Sequence, residues 1–172
     1  MQGGADAAVT SIHKTLGGMS GTALLNVGKN SRLDPSRVKH QHMMMAVGNG
    51  DAVSPFILAD LEGCIESFSK DGESLISNAL RNAQTIKDAL GKLQKVKIAD
   101  FAETYPDIKL IDPLKMTFKV EGYTGAQLWD VLESKFKINI ENTTKRAAMI
   151  TIHAHINQGD VDALINAMEE LN

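Results

Sequence analysis

The apolar residues between Glu73 and about Leu93 recur with the 3.6-residue period of an α-helix. The members of this apolar face are Leu75, Ile76, Leu80, Ala83, Ile86 and Leu90. We therefore predict one long connecting helix, because such a face has to be buried against other elements. Beyond it the pattern changes to alternating strand and helix signals, and we place a domain boundary near Gln94. The sequence thus predicts two parts, residues 1–94 and residues 95–172.

The second part has the pattern of a compact α/β sandwich. Apolar and polar residues alternate along 114–121 and again along 148–156, as in strands that have one buried face. Thr124 and Gln127 have the spacing of a capping box, and Asn157 or Asp160 can cap the last helix. Weaker strand signals lie at 96–101 and 138–141. At about 75 residues, this part is near the lower limit for a domain that folds alone.

The first part combines a strand with two helices. The strand is predicted at Thr22–Val27, between two glycines, which would leave Lys14 on a loop at a sheet edge. Helices are predicted to begin at Asp34-Pro35 and at Ser54-Pro55, because proline is tolerated in a first helical turn. Breaks in the helices are predicted at Gly48-Asn49-Gly50-Asp51 and at Lys70-Asp71-Gly72.

Composition narrows the class of protein. The hydrophobic content of 43% is enough for a sizeable core, and the net charge of -3 disfavours nucleic acid or an anionic membrane as partner. Cys64 is the single cysteine, which excludes an intrachain disulfide and suits a reducing cytoplasm. No apolar run approaches the roughly 18 residues that span a bilayer, and the first residues lack the features of a signal peptide. We expect a soluble, cytoplasmic protein.

The segment Ser11-Ile12-His13-Lys14 places a hydroxyl, an imidazole and an amine at tight spacing after a short apolar run. An amine can form a Schiff base with an aldehyde, and the hydroxyl and imidazole can donate hydrogen bonds to a phosphate on the same ring. This combination is typical of a pyridoxal-phosphate site. The alternative is an ordinary loop with a solvated lysine.

The wider context of this segment carries a family resemblance. Residues 4–14, with the strand Thr22–Val27, resemble the lysine segment of the ornithine/lysine/arginine decarboxylases, a family of fold type I pyridoxal-phosphate enzymes. Asp34-Pro-Ser-Arg37 resembles that family's helix start, and Ser54-Pro55 resembles its serine–proline element. Asp112–Met116, Tyr123–Gln127 and the final strand and helix are similar to its small C-terminal domain. The resemblance covers nearly all 172 residues, but only the C-terminal portion of such an enzyme.

The resemblance implies a fold and a site. The fold is α/β, with the C-terminal part of the large cofactor domain, a long connecting helix and a small α/β sandwich. The cofactor is pyridoxal 5′-phosphate, held by a Schiff base through Lys14, with Ser11 and His13 on its phosphate. Ser54 is a further cofactor-binding candidate, in a site that a second subunit completes. Lys14 or His13 would return the proton to the substrate α-carbon.

The implied function is decarboxylation of a basic amino acid, which would be ornithine, lysine or arginine. In the family, the residues that hold the cofactor ring precede the lysine segment, so we expect this chain alone to be inactive. One alternative is another fold type I enzyme, an aminotransferase or a cysteine desulfurase. Another is a non-catalytic remnant or assembly fragment. We expect a homo-oligomer or a companion N-terminal portion, because an incomplete sheet exposes apolar surface.

Structural roles are expected for the remaining conspicuous residues. His153 and His155 are predicted on one strand face without a third ligand, so no metal site is expected. Met43-Met44-Met45 are predicted to pack in a core, and Cys64 is predicted to be a small buried apolar residue.

Overall fold

A computed structural model describes residues 4–48, 54–108 and 110–172. The chain forms two compact units, residues 1–70 and residues 71–172. The structure is a mixture of helices and sheets, as predicted, and each unit is described by itself.

A two-stranded antiparallel hairpin organises the first unit. Strand β1 (Ala7–Ser11) pairs with β2 (Ala23–Val27), so that Ala7 lies opposite Val27 and Ser11 opposite Ala23. The predicted strand is confirmed as β2, whereas β1 was not predicted. A one-turn helix, α1 (Ile12–Thr15), follows β1 directly. Lys14 therefore lies in a helical turn rather than in the loop that we expected.

Helix α2 (Pro35–Gly48) begins where the sequence predicts. The Oδ1 atom of Asp34 accepts the Ser36 N–H at 2.9 Å, which is the expected capping role. Met43, Met44 and Met45 are each more than half exposed, so the prediction that they pack in a core is wrong. Along 35–45 only Val38 is even half-buried, because this stretch has no apolar face of helical period. The predicted break at 48–51 falls mainly on residues outside the described ranges.

Helix α3 (Pro55–Leu90) is continuous over 36 residues. The predicted interruption at Lys70-Asp71-Gly72 is wrong, because one glycine costs a helix only about 1 kcal/mol. An ion pair of 2.6 Å between Lys70 and Glu66 supports the helix at this point. The compact units divide within α3, between Lys70 and Asp71. The domain boundary near Gln94 stays a prediction.

The second unit contains a four-stranded antiparallel sheet, and the alternating patterns along 114–121 and 148–156 predict two of its strands. Its strand order is β3-β4-β6-β5, formed by β3 (Val96–Ile98), β4 (Lys115–Val120), β5 (Asn142–Thr143) and β6 (Ala148–Thr151). The weak strand signal at 138–141 is displaced, because pairing starts only where Glu141 N–H donates to the Met149 carbonyl at 2.9 Å. The short helix α4 (Phe101–Thr104), capped by Asp100, was not predicted.

One contiguous core joins this sheet to the end of α3, to α5 (Gly125–Ser134) and to α6 (Gln158–Leu171). Met116, Phe118 and Val120 are buried, while their neighbours Lys115 and Lys119 are exposed, which confirms the alternation in β4. The capping boxes Thr124–Gln127 and Asn157–Asp160 are both present.

Two residue predictions in this structure need correction. Strand β6 ends at Thr151, so His153 and His155 do not share a strand face. They lie in the turn before α6, where the His155 N–H donates to Nδ1 of His153 at 3.1 Å. Cys64 is half-buried rather than buried, because it lies on a part of α3 that the described residues only partly cover. None of the described helices is long and apolar enough to cross a membrane.

We predict that Gly125→Ala destabilises the second unit by about 3 kcal/mol, the upper end of the range for an overpacked core. An added Cβ would overlap the Thr144 carbonyl and lie 2.8 Å from the Ala147 carbonyl, and neither backbone atom can move away cheaply. Urea unfolding followed by fluorescence of Trp129, the single tryptophan, measures this loss. Gly63→Ala is the matched control, because its Cβ would meet open space. Equal transition midpoints for both variants would contradict the prediction.

Candidate functional site around Lys14

The end of β1 brings Ser11, His13 and Lys14 into one turn of chain. Ser11 is the N-cap residue of α1, but its side chain makes no capping hydrogen bond. Its hydroxyl is therefore not used by the helix. Ser11 and His13 are half-buried, and Lys14 is exposed. The side chains that carry the hydroxyl, the imidazole and the amine predicted from the sequence thus all belong to the same short turn.

Ile12 anchors this turn. Its side chain is fully buried, and its N–H donates to the Thr22 carbonyl at 3.1 Å. This bond continues the β1–β2 ladder by one position beyond the Ser11–Ala23 pair. The burial of Ile12 therefore holds its polar neighbours at a defined place on the hairpin.

A second bond to the same carbonyl orients His13. The Nδ1 atom of His13 lies 2.9 Å from the Thr22 carbonyl oxygen. A carbonyl oxygen can only accept, so this contact is a hydrogen bond when Nδ1 carries the proton. In the neutral ring the other nitrogen, Nε2, then has a free lone pair. Nε2 can donate to an anion only when the ring is protonated.

The loop that follows Lys14 is closed by two residues that the sequence did not single out. Thr22 is only 3% exposed, and its hydroxyl donates to the Met19 carbonyl at 2.7 Å. The Met19 N–H donates to Oδ2 of Asp60 on α3 at 2.7 Å. The signal for Asp60 was a carboxylate within the otherwise apolar run 56–61. Thr22 carried no comparable signal.

Gly18 allows this loop to pack closely. A Cβ at this position would lie 2.9 Å from Ile12 Cγ2, 3.1 Å from Thr22 Oγ1 and 3.3 Å from Asp60 Oδ2. Three groups that hold the site thus converge on one backbone position. A residue larger than glycine would push them apart.

An ion pair closes the far end of the hairpin. Asp6, before β1, accepts hydrogen bonds from the Arg32 backbone N–H and from Arg32 Nη2, each at 2.9 Å. The Arg32 side chain, and then its backbone N–H, lower the pKa of the Asp6 carboxyl below its ordinary value. Hydrogen bonds therefore hold the hairpin at both ends, between Ile12 and Thr22 at one end and between Asp6 and Arg32 at the other.

Ser54 lies at the start of α3 and is half-buried. Its carbonyl accepts the Leu58 N–H at 3.1 Å, as the first bond of the helix. It shares a compact unit with Lys14, and its role in binding a cofactor stays a prediction. Across the described residues there is no group of three or more His, Cys, Asp or Glu side chains that could hold a metal ion.

Comparison with known proteins supports the resemblance seen in the sequence. No family model matches the chain. The chain is 26% identical to the arginine decarboxylase of Bacillus cereus over 174 residues, which cover 99% of this chain and 37% of that enzyme. The chain therefore spans little more than a third of the length of this curated relative. The matched part is the C-terminal portion of that enzyme.

Solved structures share the fold. The constitutive lysine decarboxylase of E. coli superimposes with a TM-score of 0.72 and 15% identity, over 95% of this chain and 28% of that one. A phosphoserine aminotransferase of Cytophaga hutchinsonii superimposes with a TM-score of 0.61 and 11% identity, over 96% of this chain and 49% of that one. The resemblance to the C-terminal portion of the ornithine/lysine/arginine decarboxylases is thereby confirmed.

We predict that Arg32→Ala raises the pKa of Asp6 toward its ordinary value, because the main cause of the lowered pKa is removed. Since the folded-state pKa lies below the unfolded-state pKa, the pair stabilises the hairpin above the unfolded-state pKa and stops doing so as pH falls through the folded-state pKa. Titration of the carboxyl carbon by NMR measures the change. Arg37→Ala, at an exposed position of α2, is the control. An unchanged Asp6 titration in Arg32→Ala would contradict the prediction.

Proposed function

We propose that this chain is the C-terminal portion of a pyridoxal-phosphate-dependent decarboxylase of basic amino acids, in which Lys14 holds the cofactor. The observation that carries the proposal is the turn at the end of β1, where an exposed lysine amine follows an oriented imidazole and a hydroxyl unused by the helix. The decarboxylase names of the relatives point to the same chemistry.

The donor set fits pyridoxal 5′-phosphate. A primary amine is the group that an aldehyde requires for covalent attachment, with loss of water. A hydroxyl that makes no capping bond can donate to a phosphate oxygen, and a protonated imidazole can donate through Nε2. Lys14 would hold the aldehyde carbon, and Ser11 and His13 would hold the phosphate. Ser54 is proposed as a cofactor-binding residue toward a second subunit.

When bound, the cofactor supplies an electron sink for the charge left on the α-carbon as carbon dioxide departs. The chain's own residues would position it and manage protons. Lys14 must lose its proton before its nitrogen can act as a nucleophile, and Nε2 of His13 can store or release one. The buried residues Ile12 and Thr22 hold the turn that carries Lys14 and His13 in place. Lys14 or His13 is therefore the proposed acid that returns a proton to the α-carbon.

The proposed substrate is arginine, lysine or ornithine. The sequence relative is named for arginine and a structural neighbour for lysine, so arginine is tested first. The aminotransferase reading retains support from the Cytophaga hutchinsonii enzyme, whose TM-score is lower. The cysteine desulfurase and the non-catalytic fragment remain alternatives that the experiments below separate.

We predict that borohydride reduction in the presence of pyridoxal phosphate attaches the cofactor to Lys14, because its amine is the proposed attachment group. Peptide mass spectrometry locates the label. Lys14→Ala should lose the label, whereas Lys29→Ala, which removes another exposed lysine of the first unit, should retain it. Label distributed over several lysines, or unaffected by Lys14→Ala, would remove the basis of the proposal and favour the non-catalytic fragment.

We predict that a form extended to the length of the relatives releases carbon dioxide from a basic amino acid. Lys14→Ala should lower the rate by at least about a thousandfold, because covalent attachment is lost. Carbon dioxide release from arginine, lysine and ornithine is measured in parallel. Amino transfer to a keto acid without carbon dioxide release would favour the aminotransferase, and release of sulfur from cysteine would favour the desulfurase.

Exposed apolar side chains on the first unit support a partner. Phe56 is 82% exposed and Val9 71% exposed. The same unit has a cleft of about 470 Å³ between β2 and α2, with Leu25, Leu33 and Val38 among its lining residues. Large apolar side chains and an apolar cleft left open to water are typical of an interface. We propose that a second subunit or the preceding portion of the enzyme covers it.

We predict that the 172-residue chain self-associates in solution, because this apolar surface is otherwise in water. Light scattering measures the mass. Phe56→Ser should weaken association, whereas Asn30→Ser, at an exposed polar position that does not line the cleft, should not. A monodisperse monomer would contradict the proposal that a second subunit covers the apolar surface of this unit.

A further inference from the structure

The two ring nitrogens of His13 have different environments, and this difference traces back to residues outside the Ser11–Lys14 segment. Nδ1 donates to the Thr22 carbonyl. The position of that carbonyl depends on the loop 16–22, which Thr22 and Asp60 close. We infer that Thr22 and Asp60 are positioning residues that hold His13 as its Nδ1–H tautomer and leave Nε2 as the nitrogen that can exchange a proton with a ligand.

The acceptor is well defined. The Thr22 carbonyl oxygen accepts from Ile12 N–H at 3.1 Å and from His13 Nδ1 at 2.9 Å. Thr22 is buried, so water competes poorly for this oxygen, and a hydrogen bond in such surroundings is stronger than one in water. The ring proton therefore has a fixed place on Nδ1.

The loop 16–22 needs side-chain hydrogen bonds to keep the Thr22 carbonyl in place. Gly17, Gly18 and Gly21 lie within it, and two of them have positive φ, 80° for Gly17 and 92° for Gly21. Glycines lose more conformational entropy on ordering than other residues. The Thr22 hydroxyl offsets this cost by binding the Met19 carbonyl inside the loop. Asp60 adds the bond from α3 to the Met19 N–H.

The chemical consequence rests on the proposed function. In the Nδ1–H tautomer, neutral His13 presents a lone pair at Nε2, so it can accept a proton there and then donate to a phosphate oxygen or an α-carbon. In the opposite tautomer, Nε2 would already carry its proton and Nδ1 would face the Thr22 carbonyl without one. Thr22 and Asp60 would thereby determine which proton His13 can move, without touching the cofactor.

The experiment measures the tautomer directly by nitrogen NMR of the ring in the 172-residue chain, at a pH where the ring is neutral. The His13 signals are assigned by their loss in His13→Gln. We expect the Nδ1–H form in the unaltered chain, although free histidine in water favours the Nε2–H form. An Nε2–H ring in the unaltered chain would overturn the inference with no variant needed.

Matched variants test the two side chains. Thr22→Val removes the hydroxyl at nearly constant shape, and Asp60→Ala removes the acceptor; both should lose the Nδ1–H preference. Thr22→Ser keeps a hydroxyl and Asp60→Asn keeps an oxygen acceptor, so both should retain it. An unchanged tautomer in Thr22→Val and Asp60→Ala would overturn the positioning role. Should Thr22→Val not fold, the contrast between Asp60→Ala and Asp60→Asn decides the same question.

A further readout separates this inference from the proposed function. In the extended enzyme, we expect Thr22→Val to lower kcat about tenfold or more with little change in KM, as for a lost proton-transfer contribution. A fall confined to KM would overturn the link to proton transfer. If His13 is the Nδ1–H tautomer but Lys14 takes no cofactor label, the proposed function is contradicted and the tautomer assignment is kept. Cofactor label on Lys14 together with an Nε2–H ring would support the proposed function and overturn the tautomer assignment.

Discussion

A single carbonyl oxygen, that of Thr22, accepts the hydrogen bonds that hold both Ile12 and His13. The first bond continues the strand ladder, and the second orients an imidazole beside the lysine. Because the residue is buried, neither bond competes with bulk water. The candidate site is therefore an extension of hairpin pairing rather than a free loop that carries reactive groups.

The sequence predicted most of the second unit because its signals are local. Alternation in β4, the capping boxes before α5 and α6, and the helical period at the end of α3 each involve residues close in the chain. Burial then follows the pattern, since Phe118 and Ile86 are fully buried. Each local preference agrees with the packed result, as expected for a consistent fold.

The first unit was predicted less well because its hydrogen bonds join distant segments. Strand β1 is short and pairs with β2 across α1, so its own pattern did not identify it. The methionines of α2 were expected in a core that the described residues do not provide. The continuity of α3 through Gly72 depends on flanking turns that outweigh one unfavourable residue.

The sequence by itself determined the chemistry available in this chain: a hydroxyl, an imidazole and an amine within four residues, together with the order of elements around them. Only the tertiary structure decided how these groups are used. It placed Nδ1 of His13 against the Thr22 carbonyl, brought Thr22 and Asp60 into the hydrogen bonds of the loop that follows Lys14, and left the Ser11 hydroxyl outside the helix cap. The physical reason is that a hydrogen bond between residues far apart in sequence depends on backbone position in space, which residue spacing alone does not encode.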